Sequence, residues 1–382
     1  MENMPDPNHS ILRPAGLGED RPVFQIVPEI MILGVIWCLS VIGNILVCVV
    51  IYRSRRVQST TNYFVMTCAC ADLVFLWIVI PMVCGRIIMS EWVLGDFLCR
   101  CVRFVHTMFP NVTLYVLTSI AIDRYYTIIY PLSFKVTREI AKRMIIVCCL
   151  VSCLLSSFSF YFYHETVILT DRNTSKNICP TYVNPGYTVG VVFSVSFVLL
   201  QYVFPVVIIG FVYLRLVKFI WRSSVYCLRF QRTTNHVPRT KVKMLKMLIL
   251  MTLITMVLLL PSFFVILWVA LRLPEMMNPT IFIVCLILLL TSTVAKPIIY
   301  ACYNSNFRRG CKEVFCMSSS RCYRRNTYAI TTASAFGKKN HVGIVNGNCD
   351  RNLDSPTKAF DRSIKVDKSV WPIHASMPTT YL

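Results

Sequence analysis

The chain has 382 residues, of which 55% are hydrophobic and only 15% charged, and its mean hydropathy is +0.59. That balance excludes an ordinary soluble domain, because so much apolar surface needs lipid to face. The formal net charge of +21 would suit a nucleic-acid binder if the positives formed one surface, but they are spread over several connections.

Residues 1–25 form an acidic, Pro-containing head with Glu2, Asp6, Glu19 and Asp20. A cleavable signal peptide opens on basic residues, so none is expected and the first apolar run reads as a signal anchor. Stretches without charge follow at 30–52, 144–164, 177–214, 247–271 and 276–295, each near or above the roughly 20 residues that cross a bilayer as a helix. Two more are interrupted: 62–88 carries Asp72, and 97–129 carries Arg100, Arg103 and the pair Asp123 and Arg124 near its ends. Seven spans are predicted over residues 26–303, an all-α membrane bundle. A transporter would show two repeated halves with matched broken helices, and an intramembrane enzyme would show facing acids, histidines or serines. Neither pattern is present, so no enzyme activity, cofactor or metal is expected.

The positives fall on alternate connections. Arg53, Arg55 and Arg56 follow span one; Lys135, Arg138, Lys142 and Arg143 follow span three; residues 215–246 and 308–325 supply the rest. The other connections are mixed in sign, with Arg86, Glu91 and Asp96, then Glu165, Asp171, Arg172 and Lys176, then Arg272 and Glu275. Basic loops stay in the cytoplasm, so the N-terminus is predicted outside the plasma membrane and the C-terminus inside. The basic face also favours anionic membrane lipid, and nucleic acid is not an expected partner. Asn8 and Asn173 open glycosylation sequons on segments predicted outside, whereas the sequon at Asn111 lies mid-span and is expected to be unused. Most of the 18 cysteines sit in apolar spans as small buried hydrophobes; Cys99, Cys101 and Cys179 lie near the oxidising face.

In chain order the spans carry Gly43-Asn44, Ala71-Asp72, Trp92-Val93-Leu94-Gly95 ahead of span three, and Asp123-Arg124-Tyr125 at its inner end. Pro205 and Tyr213 follow in span five, Pro261 in span six, and Pro297 and Tyr300 in span seven. Each alone is a short pattern that chance can supply. In this order and at these depths, residues 26–316 resemble the rhodopsin-like G-protein-coupled receptors, and the runs 122–136 and 303–310 resemble an orphan member of that family.

The resemblance implies a receptor that passes an extracellular signal to a heterotrimeric G protein, with arrestin as a second partner. It implies a disulfide from Cys99 to Cys179, with Cys101 as the rival partner. It also implies that Asp123 and Arg124 pair at rest and separate on activation, and that the hydroxyls of Tyr213 and Tyr300 approach through water when span six swings out. Pro205, Pro261 and Pro297 each free a carbonyl and bend a helix.

Three departures bear on mechanism. The family often holds its arginine with an acid at the base of span six, yet residues 239–243 read Arg-Thr-Lys-Val-Lys. A weaker resting state is expected, and a constitutively active or non-signalling scavenger receptor is the alternative reading. Span six reads Leu258-Leu259-Leu260-Pro261 without the family's tryptophan two residues before the proline, and span four has no tryptophan. Lys296 stands beside Pro297 where asparagine or aspartate is usual. A lysine in hydrocarbon costs on the order of 2.5–3.5 kcal/mol, so it needs a partner. The polar pocket that the resemblance places at Asp72, Thr113 and Ser292 commonly holds sodium, and the Lys296 ammonium is expected to take its place unless it turns to water at the inner end. The place of the opsin retinal lysine holds Leu290, so no Schiff base is expected.

The resemblance sets His106, Thr107 and Pro110 of span three, Ser262, Phe263 and Ile266 of span six and Phe282 of span seven along a ligand-facing stripe, apolar with few polar groups. His106 stands where amine receptors keep an aspartate, which disfavours monoamines and leaves a peptide-type ligand; the plainer reading of His106 is a satisfied polar residue near the water boundary. Residues 304–325 read as an amphipathic-helix and palmitoylation region, in which Asn306 to Cys316 form a short eighth helix with Phe307 and Phe315 on its apolar side and Arg308, Arg309 and Lys312 toward headgroups. Cys316 and Cys322 are palmitoylation candidates. Residues 326–382 lack apolar periodicity and are predicted to be a disordered cytoplasmic tail. Within it Thr331, Thr332 and Ser334 are phosphorylation candidates for arrestin recruitment, and Thr380-Tyr381-Leu382 fits the ending that a PDZ protein takes up.

Overall fold

Hydrocarbon offers no water to an unpaired N–H or C=O, so a segment that crosses it must satisfy its backbone internally, and a helix does this within one segment. The computed structural model describes residues 22–54, 59–130, 136–169, 175–180, 188–230, 238–271 and 279–316. Among them seven helical stretches are long and apolar enough to span: Val23–Arg53, Thr60–Met89, Gly95–Ile129, Arg138–Phe162, Thr188–Ser223, Thr240–Leu271 and Thr280–Tyr303. The elements in order are α1 (Val23–Arg53), α2 (Thr60–Met89), α3 (Gly95–Ile129), α4 (Arg138–Ser157), the short α5 (Ser159–Phe162), a hairpin of β1 (Thr166–Leu169) and β2 (Ser175–Ile178), α6 (Thr188–Val198), α7 (Phe204–Phe230), α8 (Arg239–Leu271), α9 (Pro279–Tyr303) and α10 (Ser305–Cys316).

Local chemistry sets several of these boundaries. Ser59 and Thr137 cap α2 and α4 by accepting from the backbone N–H groups of Asn62 and Ile140, and α2 ends at Ser90 in the left-handed region, φ 55°. Between α6 and α7 the helix widens into a π turn, Leu199–Val203. Pro205 has no N–H to give to the carbonyl four residues earlier, and Phe204 N–H reaches back five residues to Leu199 O instead.

Two sequence boundaries shift. The charge-free stretch 177–214 is not one span: Asn177 and Ile178 belong to β2, and the helix begins at Thr188 and runs on past Arg215 and Lys218. Freedom from charge marks what lipid tolerates, whereas the Pro and Gly in 180–186 decide where a helix can start. Arg86, assigned above to a connection, lies in the last turn of α2.

Helix α3 runs through the middle, packed by α2, α4, α7 and α8, and Leu114, Leu117 and Ile120 are fully buried. Helix α4 turns Ala141, Cys148, Ser152 and Ser156 inward and leaves Ile146, Leu150 and Leu154 exposed on the lipid side. Small residues let its backbone approach α3 closely, where Ser119 Oγ and Cys148 Sγ meet at 3.2 Å. A similar approach joins α1 to α9. Asn44 Nδ2 donates to Ser40 O and Thr293 O at 2.8 and 3.2 Å, and the Ser40 and Thr293 hydroxyls bond at 2.8 Å. One turn away, a Cβ on Gly43 would stand 3.0 Å from Pro297 Cβ.

Gly43→Val should therefore force α1 and α9 apart at a cost of about 1–3 kcal/mol, read as a lower unfolding temperature of the purified protein. Gly34→Ala, whose added Cβ meets nothing within 4 Å, should leave that temperature unchanged or slightly raised. Equal losses in the two variants would contradict a close contact at Gly43.

Candidate functional site

Functional side chains lie at three levels along α3. At one end the disulfide Cys99–Cys179 ties β2 to the first turns of α3. Trp92 buttresses it, donating its indole N–H to Gly95 O at 2.8 Å and its backbone N–H to Asn177 O at 2.7 Å. Cys101 stays free. This end is the disulfide face.

Beneath it lies a cavity of about 200 Å³ walled by α2, α3, α8, α9 and the strand-bearing loop. Of the residues on the ligand-facing stripe, His106, Thr107, Ser262, Ile266 and Phe282 line it. Phe263 does not: it stacks on Tyr202 at 4.7 Å between ring centres and packs toward Phe197. Ser262 and Ile266 are four residues apart and share a helix face, whereas Phe263 is turned about 100° away from Ser262. Pro110 borders a smaller, deeper cavity instead.

The lining is more polar than expected, because Arg86, Arg103, Ser90 and Tyr163 join it. Arg103 is buried and donates from Nη2 to Cys179 O at 3.0 Å. Burial raises the Tyr163 phenol above its ordinary range, while the charge of Arg103 beside it pulls the other way. The sequence held a signal for Arg103, since it precedes His106 by three residues and so shares its face of α3. Composition alone marks it only as a charge near a span end.

At the middle level Lys296 Nζ donates to Asp72 Oδ1 at 2.7 Å, and both side chains are buried. Thr113, Ser292 and Thr293 border the same small cavity of about 10 Å³, room for about one water molecule. Ser292 Oγ is spent on Leu289 O at 2.6 Å, whereas Asp72 Oδ2 and Thr113 Oγ1 have no hydrogen-bond partner among the described residues. Lys296 thus points into the bundle and not to water. Asn111, the mid-span sequon, is fully buried and donates to Gln201 Oε1.

At the far end, the basic face, Arg124 Nη2 meets Asp123 Oδ2 and Thr61 Oγ1, each at 2.5 Å. Helix α8 has no Asp or Glu anywhere in Arg239–Leu271, so no acid of that helix can hold Arg124. Tyr125 sits beside Tyr126 and Tyr130. Tyr213 bonds Thr252 Oγ1 of α8 at 3.3 Å, while the buried Tyr300 ring contacts Phe307 of α10 at 4.7 Å. The Tyr213 hydroxyl is thus engaged with α8, whereas the buried Tyr300 hydroxyl has no hydrogen-bond partner among the described residues. Pro261 and Pro297 lie inside α8 and α9. Arg308 Nη1 caps the end of α9 through Ala301 O and Cys302 O, and Phe315 is exposed on α10. Cys316 ends that helix. Asn8, Asn173, Cys322, Thr331, Thr332, Ser334, Thr380, Tyr381 and Leu382 lie outside the described residues.

Residues 43–300 match the family model described as 7 transmembrane receptor (rhodopsin family). The chain is 41% identical over 352 residues to a Rattus norvegicus protein named Probable G-protein coupled receptor 19, covering 91% of this chain and 83% of that one. The Homo sapiens protein of the same name is 38% identical over 98% of this chain and 86% of its own length. Neuropeptide Y receptor type 2 of Mus musculus is 29% identical over 95% of this chain and 91% of its own.

Replacing Lys296 with Met strands Asp72 as a buried unpaired acid, which costs about 3–5 kcal/mol. Thermal unfolding of the purified protein should show that loss, and Asp72→Asn in the same chain should recover most of it. An unchanged unfolding temperature for Lys296→Met alone would mean that the pair contributes nothing.

Proposed function

The chain belongs to the rhodopsin-like family of seven-transmembrane receptors and is a multi-pass plasma-membrane protein, and from that premise we propose that it carries a peptide-type extracellular signal to heterotrimeric G proteins. The observation that carries the reading is that one helix holds both ends of the path. His106 at the cavity and Arg124 at the basic face stand 18 positions apart on α3, about 27 Å at helical rise. The disulfide face is extracellular in this reading, because the loops on it are mixed in sign while Arg53, Arg143, Lys218 and Lys246 crowd the other. A peptide-type ligand accords with the absence of an acid at His106 and with the neuropeptide Y receptor among the relatives.

The resting latch is slight. Arg124 leans on its own neighbour Asp123 and on Thr61, and the acid-free α8 adds no second charge tie. We therefore assign the receptor appreciable basal activity. Lys296 replaces the sodium that the family commonly seats near Asp72, since a second cation there would face its ammonium. Arrestin acts on the tail through Thr331, Thr332 and Ser334, Asn8 and Asn173 carry glycans, and Cys316 and Cys322 carry palmitate that settles α10 in the lipid. The terminal Thr380-Tyr381-Leu382 engages a PDZ protein.

Expressed without ligand, the receptor should raise nucleotide exchange on one class of G protein above mock cells, and Arg124→Ala should abolish the increment. Silence toward every class would favour the scavenger reading. The unfolding temperature of the wild-type protein should be the same in sodium and N-methylglucamine chloride of equal ionic strength, whereas Lys296→Asn should acquire sodium dependence. Strong sodium dependence of the wild type would overturn the replacement.

A further inference from the structure

We propose that the cavity beneath the disulfide binds its ligand through a carboxylate carried on an apolar body, with Arg103 as the direct partner and Arg86 as the second positive charge. The inference deepens the receptor reading and rests on it.

Arg103 lines the cavity with only 8% of its surface exposed. One of its donors is spent on Cys179 O, and its Nε–H has no acceptor among the described residues. A guanidinium remains charged at any physiological pH, so burial without a counter-charge costs several kcal/mol that neutral partners do not recover.

No carboxylate among the described residues lines the cavity to supply that charge. The acid close by in sequence, Asp96, is engaged elsewhere: its Oδ2 accepts from Arg100 at 2.8 Å and its Oδ1 from Glu165 N–H at 2.8 Å. Arg86 adds a second guanidinium to the lining, near enough for its charge to act on Arg103. A cationic ligand would be repelled by Arg103. The planar fork of a guanidinium matches a carboxylate in geometry as well as charge.

The rest of the wall sets the body of the ligand. Val102, Ile266, Phe282 and Leu286 give an apolar lining on α3, α8 and α9, which an aromatic or branched aliphatic group would cover. For a peptide this is a C-terminal carboxylate on an apolar last residue, or an acidic side chain beside one.

The test uses the full chain purified in lipid nanodiscs, with small probes at millimolar concentration and thermal unfolding as readout. N-acetyl-phenylalanine represents a free C-terminus, N-acetyl-phenylalaninamide removes its charge, and N-acetyl-aspartyl-phenylalaninamide moves the carboxylate to a side chain. At least one of the two acids should raise the unfolding temperature on the order of 2 °C or more, and the neutral amide clearly less; which acid does so names the source. Arg103→Gln also loses the Cys179 contact and can fail to fold. Arg103→Lys, which keeps a charge but not the fork, and Arg86→Gln are therefore the working variants, expected to weaken the acid by about ten-fold or more and to leave the amide unaffected.

The proposal is overturned if acids and amide act alike, if none of them acts, if sodium sulfate stabilises as much as the acids, or if neither arginine variant discriminates. Basal nucleotide exchange with and without Arg124→Ala, measured on the same preparations, separates the two readings. Exchange that depends on Arg124 without any preference for acids sinks the site alone. Preference for acids without such exchange sinks the signalling reading alone.

Discussion

A charged or strongly polar side chain in the middle of this bundle depends on a partner inside the protein, because lipid supplies none. The Asp72–Lys296 ion pair is the strongest instance. It fixes α2 to α9 at a depth where either charge alone would be intolerable. The same demand places Asn44 between Ser40 and Thr293, sets Asn111 against Gln201, and joins Tyr202 to Met256 O at 2.8 Å. Hydrogen bonds of this kind act as register pins, since sliding one helix past another leaves a donor in hydrocarbon.

Apolar burial does less to choose the arrangement here than it does in a water-soluble core, because lipid tails are as apolar as leucine. Shape decides instead. Gly43 admits Pro297, and the small inward face of α4 admits α3. Large side chains such as Leu154 and Phe211 are left pointing outward, where water would make them a liability and lipid does not.

Much of this was legible in the sequence. Spans and basic connections follow from composition alone, because the bilayer imposes length and charge asymmetry so directly. The need of Lys296 for a partner followed from the cost of its charge, and Asp72 was the deep acid available. What escaped was side-chain rotation and loop placement. Phe263 follows the lining residue Ser262 yet faces Phe197 of α6 and Tyr202 of the π turn, a difference of one helical step. Arg86 and Arg103 read as topology charges because they stand near span ends; only a folded α2 and α3 show that they converge on one cavity. Tyr163 reaches the same cavity from beyond α5, a position that periodicity does not reveal.

The distribution of ties also says which helix is freest to move. Helices α1, α2 and α9 are locked together by the Ser40–Asn44–Thr293 cluster and the buried ion pair, and α2 meets α3 again where Thr61 bonds Arg124. Breaking the ion pair would expose two charges to hydrocarbon, so relative motion of α2 and α9 is expensive. Helix α8 is held differently. Its ties to the fifth span are neutral, Tyr213 to Thr252 and Tyr202 to Met256 with ring stacking at Phe263, and it carries no acid to grip Arg124. Neutral hydrogen bonds contribute about 0.5–1.5 kcal/mol each, against several for a buried charge. Leu289 of α9 borders both cavities, and Leu259 of α8 borders the deeper one about one turn from the lining residue Ser262. In the proposed signalling reading, a group seated in the outer cavity would bear on α8 through the wall that Ser262 and Ile266 supply, against α2 and α9, which the buried ion pair joins.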